Sequence, residues 1–319
     1  MNAVDQQLSF ELGKFNPQKK SISSLFIGGG TPSTIAPRIF APFFERIEPF
    51  LSDDAEITSE ANPNSATKEW IQGMKALGVN RLSFGVQSFN EEKLKFLGRA
   101  HSSKSAQTAI ENAFEQGIKH ISLDLIYGTA LDTQTLLVND LDIASKLPID
   151  HLSAYALTIE EHTPFFNRNN VTNTSEKLAK TFVENIIDKG FMQYEISNFG
   201  TYQSVHNKGY WEHQNYLGIG SGAVGFLENK RFYPCKNIEE YLQNPLHVEI
   251  EKLSAEDLHV EKIFLGLRSC IGIDLALFST KERVNVDLLV REKKLTCKEN
   301  KVYNNDYFLS DEIALYITQ

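Results

Sequence analysis

Leu25-Phe26-Ile27-Gly28-Gly29-Gly30-Thr31-Pro32 decides how the rest of this chain is read. An apolar β-type triplet breaks into three glycines, then a hydroxyl and a proline, the pattern of a strand that ends in bare backbone. Glycine lacks the Cβ that bars close approach and adopts positive φ freely, so adjacent N–H and C=O groups can lie against the polar end of a ligand. A carboxylate, an amine or a phosphate has the right chemistry. The same turn also serves as plain strand-to-helix punctuation with nothing bound, so the surrounding chain has to choose.

Outward from this stretch, apolar β-rich runs return about every 30 residues, each followed by an amphipathic helical pattern. Strands are expected at residues 23–27, 56–59, 81–86, 121–126, 152–157 and 193–196, and helices at 37–50, 65–77, 103–116, 133–146 and 176–189. Leu77-Gly78, Gln116-Gly117 and Lys189-Gly190 supply helix stops. This alternation predicts an α/β fold with a parallel sheet, either doubly wound or curled into a full or partial barrel, and in both the chemistry gathers at the C-terminal strand ends. Those ends carry Gly28 to Thr31, Glu60, Gln87, Asp124 and Tyr155, a polar mouth on one side of the sheet.

After about Gly225 the βα alternation stops. A glycine-rich segment, Gly218-Ile219-Gly220-Ser221-Gly222-Ala223, leads to a helix over 254–268 that Ser254 and Asp257 cap, then to short helices and an expected strand pair at 301–303 and 307–309. The expected division is a large domain over 1–235 and a small α+β domain over 236–319.

With 319 residues, 41% hydrophobic and 23% charged, the composition is that of an ordinary globular protein. The formal net charge is −9 and no basic run exceeds a pair of lysines, so nucleic acid is not an expected partner. The absence of a long apolar run and of a basic, then apolar, N-terminus leads to the expectation of a cytoplasmic protein without an integral membrane segment. Cys235, Cys270 and Cys297 lie 35 and 27 residues apart, spacing that suits neither a disulfide framework nor a metal loop.

Glu60 and Asp124 are candidate acceptors for ligand hydroxyl or amine groups, Gln87 both donates and accepts, and Arg99 offers a permanent charge for a carboxylate. Each alone also reads as a surface or capping residue. Together with the glycine turn, on consecutive βα units, they suit a zwitterionic nucleoside.

Gly28-Gly29-Gly30-Thr31-Pro32, Glu60-Ala61-Asn62-Pro63, the run from Asn80 to Phe89, Leu97-Gly98-Arg99-Ala100-His101 and Asp124-Leu125-Ile126-Tyr127-Gly128 resemble successive motifs of radical S-adenosylmethionine (SAM) enzymes. More narrowly they resemble the HemN/HemW group, the oxygen-independent coproporphyrinogen III oxidase-like proteins. The resemblance implies a partial parallel (β/α) barrel of the radical SAM type, missing its first βα unit and followed by a small α+β C-terminal domain. It also implies that Gly29, Gly30 and Thr31 hold the methionyl amino end of SAM, while Glu60, Gln87, Arg99 and Asp124 hold its carboxylate, ribose and neighbouring groups.

The stretch His151 to Glu160, Tyr194-Glu195-Ile196-Ser197-Asn198-Phe199, and His206-Asn207-Lys208-Gly209-Tyr210-Trp211 resemble the HemW branch, whose members look like heme chaperones. That branch implies heme contacts from His206, Asn207, Tyr210 and Trp211, with His206 on the iron, and a heme-acceptor protein as partner. An imidazole is a common axial ligand, and the two aromatic residues offer flat faces to a macrocycle. The alternatives are a coproporphyrinogen oxidase-type enzyme of porphyrin biosynthesis and a cluster-free nucleoside-binding module or inactive fragment.

The family also uses a [4Fe–4S] cluster on a Cys-x-x-x-Cys-x-x-Cys loop ahead of the glycine strand. Only 27 residues precede Gly28 and none of them is cysteine. The expectation is therefore a chain that lacks the cluster segment, through a misassigned start or truncation.

Overall fold

Alternation inside the strands explains the sheet. In Arg81-Leu82-Ser83-Phe84, in Ser122-Leu123-Asp124-Leu125 and in His151-Leu152-Ser153-Ala154, every second residue is polar. A strand sends successive side chains to opposite faces, so all three segments put their apolar residues on one face and their polar residues on the other. The apolar set is fully shielded: Leu82, Phe84, Leu123 and Leu152 have 0% exposure.

In a computed structural model, which describes every residue except 160, 162–164, 167 and 169, the chain begins with α1 (Asn2–Phe15), β1 (Ile22–Ile27), α2 (Ala41–Ile47) and β2 (Leu51–Ala61). It continues through α3 (Lys68–Ala76), β3 (Arg81–Gln87), α4 (Glu91–Phe96), α5 (Ser103–Glu115), β4 (His120–Tyr127), α6 (Gln134–Ala144), β5 (His151–Ala156), α7 (Glu176–Asp188) and β6 (Asn198–Gly200). Strands β1 to β6 form one sheet in sequence order. The pairs β2–β3, β3–β4 and β4–β5 are parallel, joined by helical crossovers, and the sheet curls into a half-barrel. Side chains of Thr67, Asn90, Ser102, Thr133 and Ser175 cap helices α3 to α7, so each of these five helices starts on a loop residue suited to its free N–H groups. The helices cover the apolar face of the sheet with residues such as Ile71, Met74, Ile110 and Leu141.

Two expectations are corrected here. The sixth strand is Asn198–Gly200, not 193–196, and it runs antiparallel to β5, with Ser153 opposite Asn198. Gln193 only bridges to Phe199. Glu195 takes up a turn in which its carboxylate accepts the Ser197 N–H, and that turn reverses the chain before the strand starts.

The rest of the chain runs α8 (Val205–Trp211), β7 (Gly225–Leu227), β8 (Lys230–Pro234), α9 (Ile238–Gln243), β9 (Val248–Lys252), α10 (Ala255–Leu267), β10 (Ile273–Asp274), α11 (Thr280–Arg291), β11 (Leu295–Lys298), β12 (Lys301–Asn304) and α12 (Ser310–Thr318). It forms two three-stranded antiparallel sheets, β7-β8-β9 and β10-β12-β11. The Ser254 and Asp257 capping box forms as the sequence indicates. The terminal strand pair does not: Lys301–Asn304 pairs with Leu295–Lys298, and Tyr307–Leu309 is a 3₁₀ turn that Asp306 caps.

By contacts the chain divides into a barrel unit, Ser24–Arg38 with Glu56–Gln203, and a mixed unit, Met1–Ser23, Ile39–Ala55 and Ser204–Gln319. This division differs from 1–235 and 236–319 because N-terminal segments join the later residues. Gln7 is the clearest link within the mixed unit: its side chain donates to the Gly218 carbonyl at 3.2 Å and accepts from the Gly220 N–H at 2.8 Å and the Tyr241 hydroxyl at 2.7 Å. Residues 263–317 nonetheless carry an apolar core of their own, with Ile263, Leu267, Val302 and Ile317 fully buried. No helix among the described residues is long and apolar enough to cross a membrane.

The close pairing of β5 and β6 makes a test of the corrected strand. A Cβ on Gly200 would lie 2.5 Å from the Tyr202 carbonyl and 2.6 Å from that of Asp150. Gly200→Ala is expected to cost about 1–3 kcal/mol in denaturant unfolding, and no loss would place residue 200 outside the strand.

Candidate functional site

The glycine run is shaped by two different constraints. Gly28 is needed for space, since a Cβ there would meet Phe26 Cε1 at 2.5 Å and the Glu60 carboxylate at 3.0 Å. Gly29 and Gly30 are needed for conformation, with φ of +77° and +63°. A Cβ on either of these two would meet nothing within 4 Å, so the turn borders open space. Glu60 Oε2 accepts the Gly29 N–H at 3.2 Å, and burial pushes the Glu60 carboxyl above its ordinary range despite that bond. The N–H groups of Gly30 and Thr31 find no partner among the described residues.

The other site residues come from β3, β4, β5 and the loop after α4. Asp124 shares the polar face with Ser83 and Ser153, and the Ser83 hydroxyl donates to Asp124 Oδ1 at 3.4 Å. Burial raises the Asp124 carboxyl to about 6, against the opposing pull of the Ser153 hydroxyl and the Arg81 charge; the Glu60 carboxylate adds to the rise. Asp124 lies deep among protein atoms and still keeps some accessible surface. Arg99 follows α4, feels the Asp124 charge and is partly desolvated. Gln87 closes β3 at a break in the strand register, with its backbone in the left-handed region at φ 71°. Tyr155, its hydroxyl pushed up to about 12 chiefly by burial and also by Asp124, completes the mouth.

Below this mouth lies a polar floor of residues that fall within the quoted motifs but to which the sequence assigned no role. Arg81, 2% exposed, donates to His151 Nδ1 at 3.3 Å and to Thr58 Oγ1 at 3.4 Å. A guanidinium can only donate, so Nδ1 is the acceptor and the His151 proton sits on Nε2, which meets the Tyr194 hydroxyl at 2.8 Å. Burial holds His151 well below its usual pKa, consistent with this neutral tautomer. Asn198 and Glu195 extend the polar face at β6, and burial raises Glu195 to about 7. The available signal was the alternation itself: polar residues at every second strand position become a buried inner face once the sheet curls.

In the mixed unit, α8 brings His206 and Tyr210 together one turn apart. Their Nε2 and hydroxyl are 3.0 Å apart and the rings meet edge-on at 4.9 Å. Tyr210 continues onto Tyr216 at 4.8 Å and Tyr216 onto Phe226 at 6.0 Å, an aromatic row with Tyr210 itself 41% exposed. The Asn207 N–H is taken up by the Ser204 cap, and Trp211 ends the helix. Glu160, the last residue of the His151 motif, lies outside the described residues.

The radical SAM superfamily model matches residues 8–134. The heme chaperone HemW of Bacillus subtilis (strain 168) is 30% identical over 335 residues, which covers 100% of this chain and 86% of that protein. The chain belongs to the HemW family of radical SAM proteins. The Haemophilus influenzae HemW is 36% identical over 338 residues, 98% of this chain and 88% of that one. Among solved structures, coproporphyrinogen III oxidase (HemN) from Escherichia coli shares the fold, with a TM-score of 0.79 and 18% identity over 100% of this chain and 82% of that one.

Radical SAM membership implies SAM and a [4Fe–4S] cluster. The open, acceptor-rich mouth fits the nucleoside. The residues present do not fit the cluster: Cys235, Cys270 and Cys297 are separate free thiols, and among the described residues no group of three or more His, Cys, Asp or Glu is placed to hold a metal.

Asp124 sets a pH signature. Its carboxyl takes a proton in the folded chain near pH 6, whereas an unfolded aspartate does so near its model value of 3.8. Ionising it therefore opposes folding, so its cost is absent at low pH and complete above about 6. Asp124→Asn is expected to raise the melting temperature at about pH 8 and to leave it nearly unchanged at about pH 4; an equal shift at both would refute the burial of this charge.

Proposed function

We propose that this HemW-family chain is a cytoplasmic heme-binding chaperone whose half-barrel holds SAM and which passes heme to an acceptor protein. The observation that carries the reading is the open turn at Gly29 and Gly30 ringed by Glu60, Asp124 and Arg99, in a chain related to heme chaperones along its whole length. The turn offers backbone polar groups to the amino end of SAM. Arg99 supplies the fixed positive charge for the carboxylate, and Glu60 and Asp124 accept from ribose hydroxyls, with Gln87 beside them. The cofactor's sulfonium chemistry belongs to a reduced cluster, which these residues do not supply, so the role proposed for SAM here is a bound ligand.

Heme is the cargo. Support comes from His206 and Tyr210 on one exposed helix face, with the imidazole next to an aromatic row onto which a macrocycle can stack. Asn207 and Trp211, also one turn apart, lie on the neighbouring stripe of the same helix.

Calorimetry with SAM is expected to give saturable binding that Glu60→Ala and Asp124→Ala each weaken by about tenfold or more, the cost of a lost hydrogen bond to a charged group. Absence of heat with the folded chain would remove the nucleoside reading. Titration with heme is expected to shift its Soret band, and His206→Ala to weaken uptake and alter that spectrum; an identical titration would take His206 off the iron.

A further inference from the structure

Gln87 holds a conformation that needs an explanation. It is 8% exposed and its φ of 71° lies in the region that side chains other than glycine rarely adopt. The register between β3 and β4 breaks after Phe84 and resumes with Gln87 opposite Leu125, so Gly85 and Val86 sit off the regular ladder and it reaches Gln87 only through that one pairing. The Gln87 side chain folds back over Gly85, where an added Cβ would meet its Nε2 at 3.1 Å.

Both neighbours of Gln87 are gripped by buried side chains. On one side, His101 Nε2 meets the Val86 carbonyl at 2.8 Å. On the other, Asp140 of α6 accepts from the Ser88 hydroxyl and the Phe89 N–H, each at 2.7 Å. Asp140 is in turn held in a charge cluster with Lys93 and Asp132, which are 0% and 5% exposed. Lys93 Nζ lies 2.7 Å from Asp132 Oδ1, at an angle outside hydrogen-bond geometry, and 3.9 Å from Asp140 Oδ2. The second Asp132 oxygen accepts the Thr129 N–H at 2.8 Å, which ties the cluster to the loop after β4. A fully buried lysine among carboxylates contributes little net stability, and its best-attested use is to select one arrangement over others.

We infer that the Lys93–Asp132–Asp140 cluster is a positioning device, which grips Ser88 and Phe89 so that Gln87 stays in its left-handed conformation and its amide is presented to the nucleoside pocket. The last clause rests on the SAM reading above. The grip itself does not. Lys93 belongs to α4, Asp132 to the loop after β4 and Asp140 to α6, so the device ties the ends of two neighbouring strands and fixes the stretch that leads to Arg99.

Two measurements separate the parts. Thermal melting needs no ligand: Gln87→Gly is expected to melt about 2–4 °C above Gln87→Ala, because glycine takes positive φ without strain. That gap is expected to close in Asp140→Ala, where residue 87 is free to relax, and to narrow in Lys93→Met, which serves if Asp140→Ala does not fold. A gap that persists at full size, or that never exists, overturns the inference. In calorimetry with SAM, Asp140→Ala is expected to weaken binding about tenfold in the parent chain and less than about twofold in a Gln87→Ala background, the non-additivity of residues that act through one another. Equal losses in both backgrounds would make Asp140 a general stabiliser and overturn the positioning role. If the parent chain takes up no SAM, the nucleoside reading fails and the melting gap still decides the grip.

Discussion

A parallel sheet made by helical crossovers has to bury both faces. Here one face is closed by helices and the other turns inward on a curled half-barrel, and the second face carries Thr58, Arg81, Ser83, Ser122, Asp124, His151, Ser153 and Asn198. Polar groups in such a place need partners, because each unpaired one costs the desolvation it suffers. The deep ones find each other: Arg81 with Thr58 and His151, Ser122 with His151, His151 with Tyr194. Towards the strand ends the glycine turn borders open space, and Asp124, with the Ser83 and Ser153 hydroxyls as partners, keeps some accessible surface.

The charges follow from the same constraint. Burial raises Glu60, Asp124 and Glu195 because little water reaches them, and the hydroxyls, amides and Arg81 only partly offset that rise. Arg81, almost fully buried, and the more exposed Arg99 are both positive charges that interact with Asp124. A mouth that sets desolvated carboxyls beside the Arg99 guanidinium suits a ligand that is itself zwitterionic. The buried Lys93 cluster is a separate use of charge, spent on backbone geometry instead of ligand contact.

Glycine at 28, 29 and 30 illustrates how much local sequence can say. Three glycines after an apolar triplet announce a turn with unusual backbone, and the positive φ of two of them bears that out. That the first is required for a different reason, the approach of Glu60 and Phe26, is invisible until β2 is laid beside the turn. The same limit explains the sixth strand. Residues 193–196 have a β-like composition, but the Glu195 carboxylate caps its own turn and moves the strand to Asn198. A short polar cap outcompetes strand propensity there, and single-residue propensities cannot register it.

The sequence by itself determined the βα order, the helix stops, the Ser254 capping box and the glycine turn, because these depend on local periodicity and local capping. The tertiary structure alone decided which side chains share a face across strands, that burial raises the Asp124 carboxyl, that Asp140 grips the residues beside Gln87, and that N-terminal segments join the later residues in one unit. Those features arise between residues tens to hundreds of positions apart, and long-range pairing and desolvation leave no periodic trace in a chain read in one dimension.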